Sequence, residues 1–542
     1  MENFNYQDMR FLIVDNIKPS QEILKQFAMR LTNKQVDSTH YAQDVPTICQ
    51  QVDYDIILLG YDLGENQKNG QQILEELRIN NYITRHCIVI LITAEVSQSM
   101  VLAALEHKPD HYLCKPYSLN DLQKRLNNCM HKKFAMASIY KALDYEQSDI
   151  VIKQCDKAIR DNSPYKAECL GIKSRQLFEL KRIAEAKDIY LQYQSLPSCQ
   201  WASIGLGKVA LYQKEFILAE KIFKHLIQKF PLYLSSYDWL AVTYQEQLHF
   251  LFAEDILEQA LLLSPRSLKR LKKFAQLCVH NEHFDKAAVA YERTYKLAKN
   301  SIHYSADNAI NYTQAFIEST PSHSLTDSKK VNVRVLHLLK QTAKDFKQVE
   351  VKIHSHLLSA CLLKLTRDHT LANDELVLGE KLLDREQESI PENKLYKLSK
   401  TLQKVTQSGL RTEIQLPAFA IPESEKVTSN LSETLFHTKK KNKVKNEAQK
   451  ALEQGMSLYD QKKYTLAVNS LEKALHLYPE HFGIKLNLTQ ALLQSYETES
   501  NSKKALDRVK DLLIDIAKSK VINEDINRLK KMQKKYQQLA GI

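Results

Sequence analysis

The sequence has 542 residues, of which 76 are basic and 64 acidic, so the formal net charge is +12. This length is several times that of an ordinary domain, and we expect three or more folding units. Glycine (11) and proline (13) are scarce, which favours a mostly helical chain. Because the two charge signs are nearly balanced, charge alone does not indicate a nucleic-acid-binding protein.

The sequence also indicates in which cellular compartment the protein is expected. Its nine cysteines are scattered without a CxxC pair or zinc-type spacing, which favours the reducing cytoplasm over an oxidising compartment. The first residues, MENFNYQDMRFLIVDN, are acidic and contain only a short apolar run, so they do not predict a signal peptide. No stretch approaches the roughly 20 apolar residues of a membrane span. We expect a cytoplasmic protein.

In the first 130 residues, short apolar runs alternate with segments of helical period. Such alternation predicts a doubly wound α/β domain of flavodoxin-like fold, with a parallel sheet covered on both faces. Ligands of such sheets lie at the carboxyl ends of the strands. The apolar runs occupy residues 11–14, 56–59, 88–92 and 112–114.

The residues that follow these runs have a specific pattern: Asp15 with Asn16, Gly60, Thr93, and Lys115 with Pro116. In this order and spacing, residues 10–128 resemble the receiver domain of bacterial two-component response regulators. The resemblance implies a pocket in which carboxylates hold magnesium, an aspartate takes a phosphoryl group, and threonine and lysine compensate its charge. It also implies that Tyr112 is the switch aromatic residue of the family.

Two positions depart from the family pattern. Asn16 replaces one carboxylate of the usual acidic pair, so magnesium should bind only weakly at Asp15. Counting five residues from Asp55 places Gly60, which has no nucleophile, at the phosphoacceptor position. Counting back from the loop glycine instead selects Asp62, but two strand residues would displace its carboxylate by about 6.6 Å. We therefore interpret residues 1–130 as a degenerate receiver, with Asp62 as the alternative acceptor.

Residues 131–300 repeat small and large apolar positions with a period of 34. This pattern resembles the tetratricopeptide repeat, which implies helical hairpins that stack into an all-α superhelix. Small residues would allow close helix approach, the large residue would fill the space between hairpins, and proline would end the second helix. The small positions are Gly207, Ala241 and Ala275, with Ala219, Ala253 and Ala287; the large ones are Phe223, Leu257 and Tyr291; the prolines are Pro231 and Pro265.

The same spacing returns in residues 447–542, at Gly455, Ala467, Leu471 and Pro479, and a polar last helix would cap the stack.

The segment between the two repeat regions is less regular. Residues 301–409 predict amphipathic helices, either drifted repeats or a separate bundle. Residues 410–446 predict a linker that ends in five lysines between Lys439 and Lys445. That cluster lacks interleaved aromatic residues, so nucleic-acid binding is the weaker interpretation.

The family's groove positions imply a binding surface on the repeats, basic and partly aromatic, that would suit acidic peptide segments. The positions are Arg175, Trp201, Lys208, Tyr212, Lys269 and Lys272.

We find no motif of a hydrolase, kinase or transferase and no sign of a cofactor. The sequence therefore predicts a non-catalytic signalling adaptor. Its receiver-like domain would dock a histidine kinase, a phosphotransfer protein or another receiver, and its repeats would bind peptide segments of an output protein. The alternatives are a conventional regulator phosphorylated on Asp62 and an RNA-associated repeat protein that uses the lysine cluster.

Overall fold

The computed structural model describes residues 5–65, 67–95, 97, 102, 106, 109–319, 325–411, 451–452, 454–459, 461–477, 482–498, 503–517 and 523–540. Contacts group the chain into two compact units, Met1–Leu416 and Pro417–Ile542.

A five-stranded parallel sheet forms the N-terminal part, in the order β2-β1-β3-β4-β5. All residues of β1, β3 and β4 are buried, because helices cover both faces of the sheet. The strands are β1 (Phe11–Val14), β2 (Val36–Thr39), β3 (Ile56–Gly60), β4 (Ile88–Thr93) and β5 (His111–Cys114).

Alternate strand residues supply the two cores. The helices that cover the sheet are α1 (Lys18–Met29), α2 (Asp44–Gln51), α3 (Gly70–Ile79) and α4 (Leu119–Ala135). On one face of the sheet, Phe11 and Ile13 join Leu24 and Leu122, and on the other Leu12 joins the cluster of α2 and α3.

An all-α array follows the sheet domain. Consecutive helices pack against each other along residues 137–386, and the helix Glu392–Gln407 packs on Val349–Leu365. The predicted fold class, a doubly wound α/β domain followed by an all-α array, is thus confirmed. The helices are α5 (Ala137–Asp144), α6 (Ser148–Arg160), α7 (Lys166–Glu179), α8 (Ile183–Tyr193), α9 (Gln200–Tyr212), α10 (Phe216–Lys229), α11 (Ser235–Glu246), α12 (Phe250–Leu263), α13 (Leu268–His280), α14 (Phe284–Ala298), α15 (Ala306–Ser319), α16 (Leu325–Asp345), α17 (Val349–Leu365), α18 (His369–Glu386) and α19 (Glu392–Gln407).

The positions with 34-residue spacing lie inside this array. Gly207 in α9 faces the ring of Phe223 in α10 so closely that a Cβ atom at 207 would overlap two ring atoms. Phe223 is itself fully buried. The close approach of the two helices therefore requires the small residue. The equivalent small and large positions are also buried: Ala219, Ala241, Ala253, Ala275, Ala287, Leu257 and Tyr291. The prolines differ, since Pro231 is exposed and Pro265 half-buried.

The turn between paired helices repeats a backbone feature that the sequence did not reveal. Lys214, Leu248 and Glu282, each 34 residues apart, have φ angles of 59°, 61° and 64°. These are left-handed values, in which a side chain is disfavoured. Each turn therefore depends on the helices that it joins.

A left-handed turn residue also occurs in residues 301–409, which the sequence predicts to be either drifted repeats or a separate bundle. Arg367, between α17 and α18, has a φ of 63°. Ala360 and Ala372 are fully buried and stand 12 residues apart, as Gly207 and Ala219 do. The hairpin α17–α18 thus shares with α9–α10 the left-handed turn residue and the 12-residue spacing of buried small residues, and both interpretations of residues 301–409 stay predictions.

The second unit contains α20 (Tyr464–Leu477), α21 (Phe482–Thr498), α22 (Lys503–Ala517) and α23 (Asn523–Ala540). Ala467 and Leu471 are buried, and Gly455 lies against Leu471, where an added Cβ would come within 2.6 Å of Cγ. Pro479, the lysine cluster and most of the predicted linker lie outside the described residues.

Among the described residues, no helix is both long enough and apolar enough to cross a membrane.

Glu254 in α12 forms a buried polar cluster with the next hairpin. Its carboxylate accepts a hydrogen bond of 2.7 Å from Nδ2 of Asn281 and lies 2.9 Å from Nδ1 of His283. Nζ of Lys286 is 3.4 Å from the same carboxylate. Burial alone would raise the pKa of the Glu254 carboxyl, but these hydrogen bonds and the neighbouring positive charges hold the pKa below its usual value.

We expect Gly207→Ala to destabilise the array, although alanine normally stabilises a helix interior by about 1 kcal/mol relative to glycine. The new methyl group would overlap the Phe223 ring, and such overpacking costs about 1–3 kcal/mol. Urea unfolding followed by circular dichroism measures the difference. Gly207→Ala combined with Phe223→Leu should recover part of the loss, since the smaller side chain frees the space. A single variant as stable as the wild type would contradict the contact.

We expect Glu254→Gln to lower the free energy of unfolding at pH 7 by about 1–3 kcal/mol. A carboxyl group with a depressed folded pKa stabilises the fold above its unfolded pKa of about 4.3, and this contribution disappears as the pH falls through the folded pKa. The difference between variant and wild type should therefore shrink as urea unfolding is repeated toward pH 3. Glu258→Gln, in the same helix but at a half-exposed ion pair with Lys286, is the control with little expected effect.

Candidate functional site

Four of the predicted pocket residues meet at one edge of the sheet. Asp15 follows β1, Gly60 ends β3, Thr93 ends β4 and Lys115 follows β5. Parallel strands bring their carboxyl ends to the same edge, so residues far apart in sequence become neighbours.

The Asp15 carboxylate is the centre of this edge and is almost completely buried, with 2% of the residue exposed. Oδ2 accepts hydrogen bonds from Nζ of Lys115 at 2.9 Å and from Oγ of Ser20 at 2.7 Å. Oδ1 accepts the backbone N–H of Ile17 at 2.9 Å. Lys115 also donates to Ser20 at 3.1 Å. Both carboxylate oxygens are therefore already engaged by donors of the protein.

Neighbouring side chains also contact the backbone of Asp15. The carbonyl oxygen of Asp15 accepts from Nε2 of Gln21 at 3.2 Å, and Nδ1 of His40 lies 3.0 Å from it. The charge of Asp15 also reaches Tyr117, whose pKa is raised to about 12 by burial and by that charge. Asp15 is thus held at the end of β1 through both its side chain and its backbone.

Gly60 occupies the position where the receiver pattern has the phosphoacceptor. Here β3 pairs with β1, and a Cβ at 60 would lie 3.0 Å from the carbonyl oxygen of Val14 and 3.6 Å from Cα of Asp15. The first residue of α3, Gly70, also lies close to the backbone of Gly60, because a Cβ on Gly70 would overlap the carbonyl oxygen of Gly60. The backbone here leaves little space for a side chain between β1 and β3.

Asp62, the alternative acceptor, is exposed and belongs to the loop after β3. Its Oδ1 accepts the backbone N–H of Gly64 at 3.0 Å, which closes a local turn. In the described part of the chain, no hydrogen bond or ion pair joins Asp62 to Thr93 or Lys115. The structure therefore uses Asp62 as a turn residue.

Thr93 and Tyr112 lie on the other side of the pocket. The Thr93 hydroxyl accepts the N–H of Glu95 at 3.0 Å, and the Tyr112 hydroxyl donates to the Glu95 carbonyl oxygen at 3.3 Å. Burial raises the pKa of Tyr112, and a hydrogen bond with Thr93 opposes that shift. The structure thus brings these two predicted residues together.

The remaining predicted pocket residues are more peripheral. Asn16 is exposed and its side-chain nitrogen lies near Gly64, while Pro116 is exposed and follows a cis peptide bond from Lys115.

The residues present do not fit the magnesium ion that the receiver pattern implies. A hard cation needs several free carboxylate or carbonyl oxygens, but Asp15 is paired with an ammonium group and Gly60 supplies no carboxylate. Across the described part of the chain, no group of three or more histidine, cysteine, aspartate or glutamate side chains forms a metal site.

Sequence reasoning missed two residues at this edge. Ser20 sits in the first turn of α1, where its contact with Asp15 depends on a side-chain direction that no pattern shows. Arg266, from the turn between α12 and α13, reaches the buried Tyr61 next to Gly60. Burial raises the pKa of the Tyr61 hydroxyl, and the positive charge of Arg266 opposes that shift.

The predicted groove residues of the array do not form one cluster, because some surround Lys208 in α9 and others lie on α13. Lys208 lies 4.8 Å from the centre of the Trp239 ring and 5.1 Å from that of Phe178. Burial lowers the pKa of Lys208, and the charge of Arg175 lowers it further. Arg175 itself is exposed. This half-buried lysine therefore lies between aromatic faces.

The aromatic residues of the predicted groove have packing roles as well. Trp201 stacks on Tyr193 with ring centres 6.1 Å apart, and Tyr212 meets Phe178 edge to face at the same separation. Trp201 also lies against Gly171. Lys269 and Lys272 lie on α13, well after the aromatic residues around Lys208 in the sequence. Lys269 is exposed and Lys272 is half-buried.

Comparison with known proteins places the N-terminal part in a family. The model of the response regulator receiver domain matches residues 11–127. Transcriptional regulatory protein PmrA of Pectobacterium parmentieri is 31% identical over 118 residues, which are 22% of this chain and 50% of PmrA. The chain thus spans about half the length of that relative. Chemotaxis protein CheY-3 of Vibrio cholerae is 24% identical over 135 residues, covering 24% of this chain and 99% of CheY-3.

Two solved structures are also similar. The BeF3-activated receiver domain of DrrB is 19% identical, with coverage of 22% of this chain and 97% of that chain and a TM-score of 0.20. The MamA RS-1 ArsTM double mutant is 17% identical, with coverage of 31% and 95% and a TM-score of 0.26. Given the family match and the parallel sheet with its strand-end residues, residues 11–127 are a response regulator receiver domain.

Proposed function

We propose that this protein is a non-catalytic signalling adaptor, in which a receiver domain that does not take phosphate docks a signalling protein and a tetratricopeptide array binds further protein segments. The observation that carries the proposal is the pairing of Lys115 with Asp15, at 2.9 Å, beside a glycine at the acceptor position.

Phosphoryl transfer to a receiver needs three things at this edge: a carboxylate nucleophile, oxygen ligands for a cation, and a free positive charge for the phosphoryl group. Gly60 removes the nucleophile. The cation ligand Asp15 and the positive charge of Lys115 neutralise each other and are held further by Ser20. The domain retains a folded surface through which it would dock a histidine kinase, a phosphotransfer protein or another receiver.

The array supports the second half of the proposal. Its helices pair in sequence, and the tight contact of Gly207 with Phe223 recurs as buried small and large residues at a period of 34. Left-handed turn residues recur at the same period. These are the features of a tetratricopeptide stack, whose surfaces bind extended or helical segments of other proteins.

The two alternatives have less support. A regulator phosphorylated on Asp62 would need that exposed carboxylate to leave its turn and cross to Lys115, which is already paired. Binding of RNA through Lys439 to Lys445 stays a prediction, because this cluster lies outside the described residues.

We expect no phosphorylated form when the full-length protein is incubated with acetyl phosphate and magnesium chloride and its intact mass is measured. The reason is chemical, since Gly60 has no nucleophile and the Asp15 carboxylate is engaged on both oxygens. A receiver protein that accepts phosphate, treated in the same tube, controls for reagent quality.

An adduct of one phosphoryl group that disappears in Asp62→Asn would overturn the proposal and establish the conventional regulator. Asp62→Ala and Asp62→Asn should both leave the melting temperature close to that of the wild type, so that a lost adduct reports chemistry and not unfolding.

A further inference from the structure

The receiver domain is not separate from the array, because an ion-pair network joins them. The guanidinium of Arg270, in α13, is 4% exposed and binds Asp238 of α11 through two hydrogen bonds of 2.9 Å. Its remaining nitrogen, Nη1, donates to Oε1 of Glu106 in the receiver domain at 2.9 Å. A buried guanidinium needs such partners, since an unpaired charge is costly away from water.

A second buried donor points at the same oxygen of Glu106. The hydroxyl of Ser264, which is fully buried at the end of α12, donates to Oε1 at 3.1 Å. Two buried array side chains from different helices thus converge on one carboxylate oxygen. This is the arrangement of a site built to receive an acidic group.

An apolar contact accompanies the acidic one. Leu102 of the receiver domain packs on an array cluster centred on Leu234, Tyr237 and Ala260. Leu102 and Glu106 are both helical and stand four residues apart, a spacing that puts both side chains on one helix face. The array therefore holds a pair of groups from one helical face, one apolar and one acidic.

Helix α3 of the receiver domain also contacts the array. Nε2 of Gln72 donates to the carbonyl oxygen of Leu297 at 3.0 Å. Nε2 of His303 lies 2.9 Å from Oε1 of Glu75. Helix α3 thus makes two polar contacts with the array.

We propose that the array surface formed by Leu234, Tyr237, Ala260, Ser264 and Arg270 is a binding site for a helical segment that carries an apolar residue and, four residues later, a carboxylate. In this chain the receiver's own Leu102 and Glu106 occupy the site, so an output protein with a segment of the same chemistry has to displace them. This inference rests on the proposed function, in which the array binds protein segments.

Tethering explains why the site is filled from within. A linked ligand experiences an effective concentration on the order of millimolar, and the contacts of α3 add to its affinity. A competing segment therefore binds with an apparent affinity reduced by the small fraction of open sites. Removing the internal ligand should therefore raise the apparent affinity for a competing segment.

The test uses a fluorescent peptide of residues 97–110 and the full-length protein, with binding followed by anisotropy. We expect weak binding to the wild type and about tenfold or greater tightening, which corresponds to about 1.4 kcal/mol, on a Leu102→Asp/Glu106→Lys variant whose own ligand is disabled. A peptide carrying the same two replacements is the matched control and should not bind either protein.

Two further variants, made in the Leu102→Asp/Glu106→Lys background, identify the site. Arg270→Gln should reduce peptide binding at least tenfold, and Ser264→Ala should reduce it by a smaller factor. If Arg270→Gln fails to fold, as judged by circular dichroism, Ser264→Ala alone decides the role of this site.

Equal peptide binding to the wild type and the disabled variant would overturn the proposal, as would binding that is unaffected by Ser264→Ala. Phosphorylation of Asp62 would overturn the proposed function without changing these peptide affinities. The two failures can therefore be told apart.

Discussion

The ion pair between Lys115 and Asp15 is the interaction on which the character of the receiver pocket depends. Asp15 is almost fully buried, and a buried carboxylate without a counterion would be strongly unfavourable. Lys115, Ser20 and the backbone of Ile17 supply the charge and the hydrogen bonds that it needs. Because Gly60 brings no carboxylate to this edge, Lys115 pairs with Asp15.

The sequence predicted those parts of the receiver domain that hydrophobic pattern controls. β1, β3 and β4 are apolar runs that must be buried, and their ends place Asp15, Gly60 and Thr93 correctly at one edge. β2 was not predicted, because Val36–Thr39 reads VDST and has only one aliphatic residue. It forms a strand because its backbone pairs with β1, which is a tertiary effect.

The array shows the same division between local pattern and long-range contact. Period and residue size predicted which positions are small and buried, since those depend on neighbouring helices. The predicted groove included Lys269 and Lys272, yet it is Arg270, between them, that binds Glu106 of the receiver domain. Its partner Glu106 is 164 residues away in sequence, so no periodicity could reveal the contact. Predicting this contact requires knowledge of which face of the helix is buried and of which element buries it.

The left-handed turns of the array have a consequence for how it unfolds. Lys214, Leu248 and Glu282 hold a backbone conformation that costs a residue with a side chain about 1 kcal/mol or more relative to a helical one. Each turn is closed by a hydrogen bond to the preceding helix, from the N–H of Glu215, His249 or His283 to the carbonyl oxygen of Ala210, Tyr244 or Cys278. Packing of the paired helices on their neighbours holds those helices in place. Adjacent hairpins are therefore energetically coupled, and loss of one should loosen the next, so that the stack melts as a cooperative block.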